Sequence, residues 1–173
     1  MLKGGAIGVA NRAGRSNGFR FGAVGNGSDE TNGWDWAFVL NVTSILKGWQ
    51  FAPVNLAEIV RKGDQTGIFN GANWLYDLQR GGFNFVDEVS CGSQEGFYND
   101  AGVLGDGATQ TGFINRCRKR CWKKSRAKQF GFLNFRDDAP WYARVIPIVA
   151  IRTGKEKSLE QEVREAPKET VSS

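Results

Sequence analysis

Histidine is absent from this chain of 173 residues, and cysteine, proline and methionine are scarce. Without histidine, the chain cannot use a histidine base in a catalytic triad or an imidazole ligand in a metal site. No apolar run approaches the roughly 20 residues that a membrane-spanning helix needs. The first residues continue into glycine-rich sequence instead of an apolar run, so no signal peptide is expected.

The few cysteines and the acidic turns offer only weak metal chemistry. Cys117 and Cys121 are four residues apart, a spacing that would place both on one face of a helix. They could pair, supply half of a metal site or stay free, and free thiols are the favoured interpretation. Calcium ligation is a further alternative, but solvated carboxylates are favoured. We therefore predict no metal and no cofactor. The carboxylates concerned are Asp106, Asp137 and Asp138.

Glycine and aromatic residues are abundant, with 23 Gly, 12 Phe and 6 Trp. This composition predicts a small core with many turns, and the length fits one domain. No internal repeat is evident. We divide the chain into a glycine-rich arm or hairpin at 1–33, a globular domain at 34–154 and a charged tail at 155–173.

Two short helices and a closing strand are predicted within the globular part. Asn55 can cap a helix that runs to Arg61, with Glu58 in a capping-box relation. A second helical pattern covers 73–80 and ends at a glycine pair. The apolar run 143–152 predicts a buried strand that closes the fold. The fold class is therefore α+β, rich in loops, with two short helices and a small antiparallel sheet.

Three segments carry a resemblance to a known family: 48–59, 75–83, and 132–135 together with 144–152. They resemble parts of the C-type-lectin-like ligand-binding domains found in phage tail-fibre proteins and bacterial collagen-like adhesins. The Trp-Ser-Ser motif of that family is absent, and 90–95 replaces it poorly. The resemblance implies a C-type-lectin-like binding module that displays loops, and it carries no catalytic residues over.

The segment 116–128 contains eight basic residues and no acid, and it accounts for the net charge of +5. Lys and Arg can neutralise phosphates, and an aromatic residue among them can stack on a base. An anionic glycan or an acidic protein is the other expected partner of such a patch. The candidate partner-binding residues are Arg116, Arg118, Lys119, Arg120, Trp122, Lys123, Lys124, Arg126, Lys128, Trp141 and Tyr142.

Four tryptophans are candidate sugar-stacking platforms: Trp34, Trp36, Trp74 and Trp141. Filling a small core is the favoured interpretation of them, because tryptophan buries a large apolar area. The pair Trp141 and Tyr142, after Pro140, is the best candidate for an exposed pair. Ligand contacts are expected from the loops between 105 and 143.

These observations favour a structural or adhesive binding module without enzymatic activity, on a virion or a cell surface. Its expected partners are neighbouring subunits, a receptor, or an anionic glycan or acidic protein, and we expect a homo-oligomer without membrane insertion. The alternative is a nucleic-acid-associated protein that binds through 116–128, which would be cytoplasmic.

Overall fold

The computed structural model describes residues 1–120 and 126–151 of the chain. In these residues the backbone winds into a β-solenoid of about seven turns, with parallel strands stacked turn upon turn. The described residues contain no α-helix and only one short 3₁₀ helix. The predicted α+β fold with two helices is therefore wrong.

Ten strands form one sheet in the order β10-β9-β8-β7-β6-β5-β3-β1-β2-β4, and β4 also pairs with β5. All pairings are parallel except that of β9 with β10. The residues 1–33 lie mostly in β1 and so belong to the same sheet. The elements are β1 (Leu2–Ala37), β2 (Leu40–Leu46), β3 (Trp49–Phe51), β4 (Val54–Val60), β5 (Asp64–Leu75), β6 (Leu78–Val89), β7 (Ser93–Leu104), β8 (Thr109–Arg120), β9 (Lys128–Arg136), the 3₁₀ helix (Trp141–Ala143) and β10 (Val145–Ile151).

Five turns of the solenoid repeat a short pattern of Gln, Gly and Asn. Successive asparagines that bond to each other are separated by 14, 15, 16 and finally 19 residues in β5–β9. The prediction that the chain has no internal repeat is therefore wrong. The variable spacing hides the repeat, since a fixed period matches only a few turns. The repeated segments are Gln65–Asn70, Gln79–Asn84, Gln94–Asn99, Gln110–Asn115 and Gln129–Asn134.

A ladder of asparagines, all but Asn11 buried, runs along the solenoid. Nδ2 of each asparagine except the last donates to Oδ1 of the asparagine in the next turn, over 2.8–3.1 Å. A buried amide has two N–H donors and an acceptor to satisfy, and an identical amide one strand spacing away can satisfy part of that need. The ladder comprises Asn11, Asn26, Asn41, Asn55, Asn70, Asn84, Asn99, Asn115 and Asn134.

A second ladder is built from glutamines and runs with the opposite polarity. Here Nε2 donates to Oε1 of the glutamine in the preceding turn, over 2.7–3.2 Å. Its members are Gln50, Gln65, Gln79, Gln94, Gln110 and Gln129, all of them buried. Asp35 is in register with Gln50, and its partner is Arg20, so a charged pair begins this column.

The apolar core is narrow and also forms columns. Leu46, Val60 and Leu75 are in register and fully buried, and Val89 and Leu104 continue the column. Burial of apolar side chains therefore stabilises one side of the interior, and hydrogen bonds within the amide ladders stabilise the rest. This combination explains how a chain with many polar residues closes a core.

The glycine of the repeated pattern lies at a close contact between turns. A Cβ on Gly81 would lie 2.0 Å from the carbonyl oxygen of Gly67 and 2.6 Å from Nδ2 of Asn70. Only glycine allows the backbones to approach so closely without displacing the asparagine ladder. Gly96, Gly112 and Gly131 make equivalent contacts with the preceding turn.

The C-terminal end of the stack is covered by β10, which pairs antiparallel with β9. Nδ2 of Asn134, the last in its ladder, donates to the carbonyl oxygen of Ile146 in this strand over 3.1 Å. The prediction of a strand here is confirmed, but the prediction that it is buried is wrong. Val145, Ile148 and Val149 are exposed because the strand lies at the edge of the sheet, and Ile146 packs against the core.

Both segments predicted as helices form strands, and the two asparagines assigned as helix caps show why. Asn55, assigned as a helix cap, lies in the buried asparagine ladder of β4. Asn73, the second assigned cap, lies exposed within β5. Their apolar residues, Val60 and Leu75, stack on equivalent residues of neighbouring turns. Pairing between turns thus overrides the local helical spacing.

Candidate binding groove on the aromatic face

Two columns of aromatic side chains stand on the outside of the first turns. They flank the inward-pointing column that begins with Arg20, Asp35 and Gln50, because alternate residues of a strand point to opposite sides. We call this surface the aromatic face. One column consists of Phe19, Trp34 and Trp49, and the other of Phe21, Trp36 and Phe51.

The rings of the aromatic face are in contact with one another. Trp34 and Trp49 stack with centroids 5.0 Å apart and planes inclined by 12°. Trp36 meets Phe51 edge to face at 5.8 Å, and it meets Phe21 in the same way at 5.7 Å. Such contacts contribute about 0.5–1.5 kcal/mol per pair beyond the burial of area. They restrict the rotamers of the rings and so keep the shape of the surface constant.

These aromatic side chains are nevertheless open to solvent. Trp34 is 58% exposed, Trp49 54% and Phe51 53%. Trp36, Trp74 and Trp141 are exposed as well. The interpretation of the four tryptophans as core residues is therefore wrong, and the exposure predicted for the pair Trp141 and Tyr142 is confirmed. The interior is filled by amide ladders and aliphatic columns, which leave no space for indole rings.

A groove of about 350 Å³ lies between the two columns. Its walls are almost entirely aromatic, and both columns end at the same turn. There Asp64 is in register with Trp49, and Thr66 with Phe51. Because β3 lies between β1 and β5, Asp64 is on the side of Trp49 away from Trp34. The short side chains of Asp64 and Thr66 thus form the end of the groove.

The base of the groove is held by a buried network. Nε of Arg20 donates to Oδ1 of Asp35 over 2.7 Å, and the guanidinium also donates to the carbonyl oxygen of Gly27. Oγ1 of Thr31 donates to Oδ2 of Asp35 over 2.8 Å. Both side chains of the ion pair are fully buried. Asp35 lines the groove, but its carboxylate is committed to this network.

The asparagine ladder also positions one wall of the groove. The second N–H of Asn26 donates to the carbonyl oxygen of Trp36 over 2.9 Å, and that of Asn41 donates to Phe51 over 3.1 Å. Asn55 makes the same bond to Thr66 over 2.9 Å. The backbone of each residue along this wall is therefore fixed from inside, while its side chain points outward.

Asp64 is the carboxylate at the end of the groove, and it is half-buried. Burial raises the pKa of its carboxyl group above the usual value, and the nearby charge of Asp77 raises the pKa further. Arg80 opposes the shift, but its guanidinium bonds to Glu95 over 3.1 Å. No ion pair within residues 1–120 and 126–151 includes Asp64.

Three of the predicted basic site residues form ion pairs with aspartates. Two nitrogens of Arg116 bond to Asp137 over 2.6 and 3.0 Å. Arg118 lies between Asp100, at 2.7 Å, and Asp87, at 3.6 Å. The pairs with Asp137 and Asp100 join neighbouring turns, and the contact with Asp87 reaches one turn further.

The third pair joins Arg126 to Asp106, with N···O distances of 3.2 and 3.3 Å. Hydrogen bonds from Arg126 lower the pKa of the Asp106 carboxyl group. Lys119 and Lys128 are exposed, and Arg120 ends β8. Trp122, Lys123 and Lys124 lie outside the described residues, as do Cys121 and the predicted tail 155–173.

Trp141 and Tyr142 lie in the 3₁₀ helix between β9 and β10. They are 82% and 73% exposed and meet edge to face at 5.9 Å. They are at the end of the chain opposite to the aromatic face.

The groove has a signal in the sequence that was missed. Three segments have an aromatic residue on each side of one polar residue: Phe19–Phe21, Trp34–Trp36 and Trp49–Phe51.

No family model, curated protein or solved structure matches the chain. The comparisons therefore neither support nor contradict the resemblance to the C-type-lectin-like family, although the α+β fold that it implied is wrong. In the described part of the chain, no group of three His, Cys, Asp or Glu residues is placed to hold a metal ion. No helix in that part is long and apolar enough to cross a membrane.

Proposed function

We propose that this chain is a structural, adhesive binding module whose aromatic groove binds a carbohydrate chain of a receptor. The observation that carries the proposal is the exposure of Trp34, Trp36, Trp49 and Phe51 around one groove. Exposed aromatic patches of this size mark binding surfaces more often than chance, because they are costly in water. The apolar face of a pyranose ring packs well against an aromatic ring, and its hydroxyl groups can bond to the carboxylate and hydroxyl groups at the end of the groove.

The solenoid supports this role by its rigidity. Stacked turns repeat at about 4.8 Å, the spacing of neighbouring strands, so successive aromatic residues face successive units of an extended ligand. The aromatic residues lie in strands that the interior ladders fix, and not in loops. A ligand therefore meets a preformed surface. As part of the proposal, we place the module on a virion or cell surface, where a rod of stacked turns can contact a receptor or neighbouring subunits.

The chemistry of the groove favours binding without catalysis. Glycoside hydrolysis requires two carboxyl groups on either side of the bond that breaks. Two carboxylates line this groove, but Asp35 is buried and bound to Arg20. Among the described residues that line the groove, Asp64 is left as the carboxylate that a ligand can reach.

Three arginines of the basic segment weigh against the nucleic-acid alternative. Arg116, Arg118 and Arg126 are each paired with an aspartate, and a phosphate would have to compete with those carboxylates.

Binding to a panel of immobilised β-linked oligosaccharides tests the proposal. The double variant Trp34→Ala/Trp49→Ala should lose at least tenfold in affinity, since each stacked ring contributes on the order of 1 kcal/mol. The matched control is Phe97→Ala/Phe113→Ala, which removes another exposed stacked pair, with centroids 5.2 Å apart, outside the groove. Absence of binding by the intact chain, or an equal loss in both variants, would refute the proposal.

A further inference from the structure

The end of the aromatic face has the chemistry of a cation site. The indole of Trp49 has one face covered by Trp34, and its other side is towards Asp64 in the next turn. An aromatic face attracts a cation through the negative potential of its π-system. A carboxylate beside that face attracts the same cation through its charge. Trp49 and Asp64 therefore favour one kind of ligand group.

The carboxylate of Asp64 makes no direct ion pair in the described residues, and Arg80 acts on it only through its more distant charge. No Lys or Arg forms an ion pair with it there, and Arg80 is hydrogen-bonded to Glu95 instead. Asp77 adds further negative charge nearby, as its effect on Asp64 shows. A half-buried carboxylate without a counter-ion is costly to the protein. An incoming ammonium group would supply the missing counter-ion.

We propose that the groove binds an amino sugar, with the pyranose ring on the aromatic wall and its free ammonium group on the carboxylate of Asp64. This inference rests on the proposed function, since it names the class of carbohydrate that the same groove takes. Thr66 is placed to bond a neighbouring hydroxyl group of the sugar. An anionic glycan is disfavoured here, because Asp64 would repel it.

Three oligosaccharides with the same β-1,4 linkage separate the possibilities: glucosamine oligomers, their N-acetylated counterparts and cello-oligosaccharides. Calorimetry close to neutral pH, where Asp64 is more fully ionised and part of the amine is still charged, measures each affinity. We expect the glucosamine oligomer to bind about five- to tenfold more tightly than the other two, as one partly screened ion pair allows. The protein carries a net charge of +5, so non-specific attraction of a polycation does not favour this result.

The variant Asp64→Asn should abolish the preference for glucosamine and leave the affinity for cello-oligosaccharides unchanged. The matched control is Glu58→Gln, which removes the same charge from an exposed residue of β4 outside the groove. It should retain the full preference. Equal loss of preference in both variants would overturn the inference, because it would reflect net charge and not the groove.

The remaining outcomes distinguish the two proposals. If the three oligosaccharides bind equally, the groove binds carbohydrate but the amino-sugar inference is wrong. If none of them binds, the proposed function fails. If choline binds as tightly as the glucosamine oligomer, the groove recognises a cation and not a sugar, which overturns the inference as well.

Discussion

The turn of β3 and the later turns of the solenoid share the glutamine ladder in their interior but have different outer surfaces at equivalent positions. The residues on both sides of the inward column are Trp49 and Phe51 in β3, but Ser93 and Glu95 in β7. The inward residues, Gln50 and Gln94, belong to the same ladder in both halves. The difference teaches that inward positions specify the fold, whereas outward positions are free to carry a function. Substitutions should therefore separate into two classes, costly inside and tolerated outside.

The largest effect is expected at the buried ion pair. Arg20→Met removes one partner and leaves Asp35 charged and buried, so the free energy of unfolding should fall by about 3–5 kcal/mol. The matched control is Arg15→Met. Arg15 also bonds to an acid 15 residues later, Glu30, but it is largely exposed, and its loss should cost less than about 1 kcal/mol. Urea unfolding measures both, and equal costs would contradict the division between inside and outside.

A smaller but still large effect is expected at the contact between turns. Gly81→Ala inserts a Cβ at 2.0 Å from the oxygen of Gly67, and such overpacking should cost about 3 kcal/mol. In Gly27→Ala the added Cβ meets nothing within 4 Å, so the midpoint of thermal unfolding should barely change. A similar drop in the midpoint of thermal unfolding in both variants would show that the close contact between Gly81 and Gly67 is absent.

Removal of one ladder amide should have an intermediate effect. Asn84→Ala leaves Nδ2 of Asn70 and Oδ1 of Asn99 without a partner in the ladder. Each unsatisfied buried group costs about 1–3 kcal/mol, so the free energy of unfolding should fall by about 2–3 kcal/mol. The exposed Asn73→Ala is the control and should change it by less than about 0.5 kcal/mol. Denaturant titrations of the two variants test the expectation.

The smallest effect on stability is expected at Asp64, where substitution should stabilise the folded protein and not destabilise it. The raised pKa of this carboxyl group means that ionisation weakens the folded state relative to the unfolded one. Stability contributed by the protonated form is present below the usual pKa of aspartate and is lost as the pH rises through the higher folded-state pKa. Asp64→Asn should therefore be slightly more stable than the parent at neutral pH, with the difference absent at low pH. A loss of stability at neutral pH would indicate an internal partner for the carboxylate.

Part of this architecture can be predicted from the sequence. The terminal strand was identified from its β-branched residues, 145–151, because that signal is local. The helices assigned to 55–61 and 73–80 were wrong, because Asn55 and Leu75 obtain their partners from other turns and not from neighbours in the chain. A search for Gln-x-Gly-x-x-Asn with variable spacing would have revealed five turns.

The candidate site was harder to predict than the fold. Trp34 and Trp36 were recognised as possible stacking platforms but were assigned to the core, since tryptophan is usually buried where cores are small. Only the stacking of turns shows that Trp49 lies beside Trp34 and that Asp64 ends the groove. The binding patch at 116–128 stays a prediction. The sequence alone could not show that Arg116 and Arg118 pair with aspartates, because those partners are distant in sequence.

The most direct test of the binding groove is a titration of the ¹⁵N-labelled protein with a glucosamine oligomer, followed through the indole N–H signals of tryptophan. Trp74 and Trp141 are exposed outside the groove and serve as internal controls within the same spectrum. The account predicts that the signals of Trp34, Trp36 and Trp49 shift together while those of Trp74 and Trp141 stay unchanged. Shifts confined to Trp141, or no shift at any of the three groove tryptophans, would contradict it.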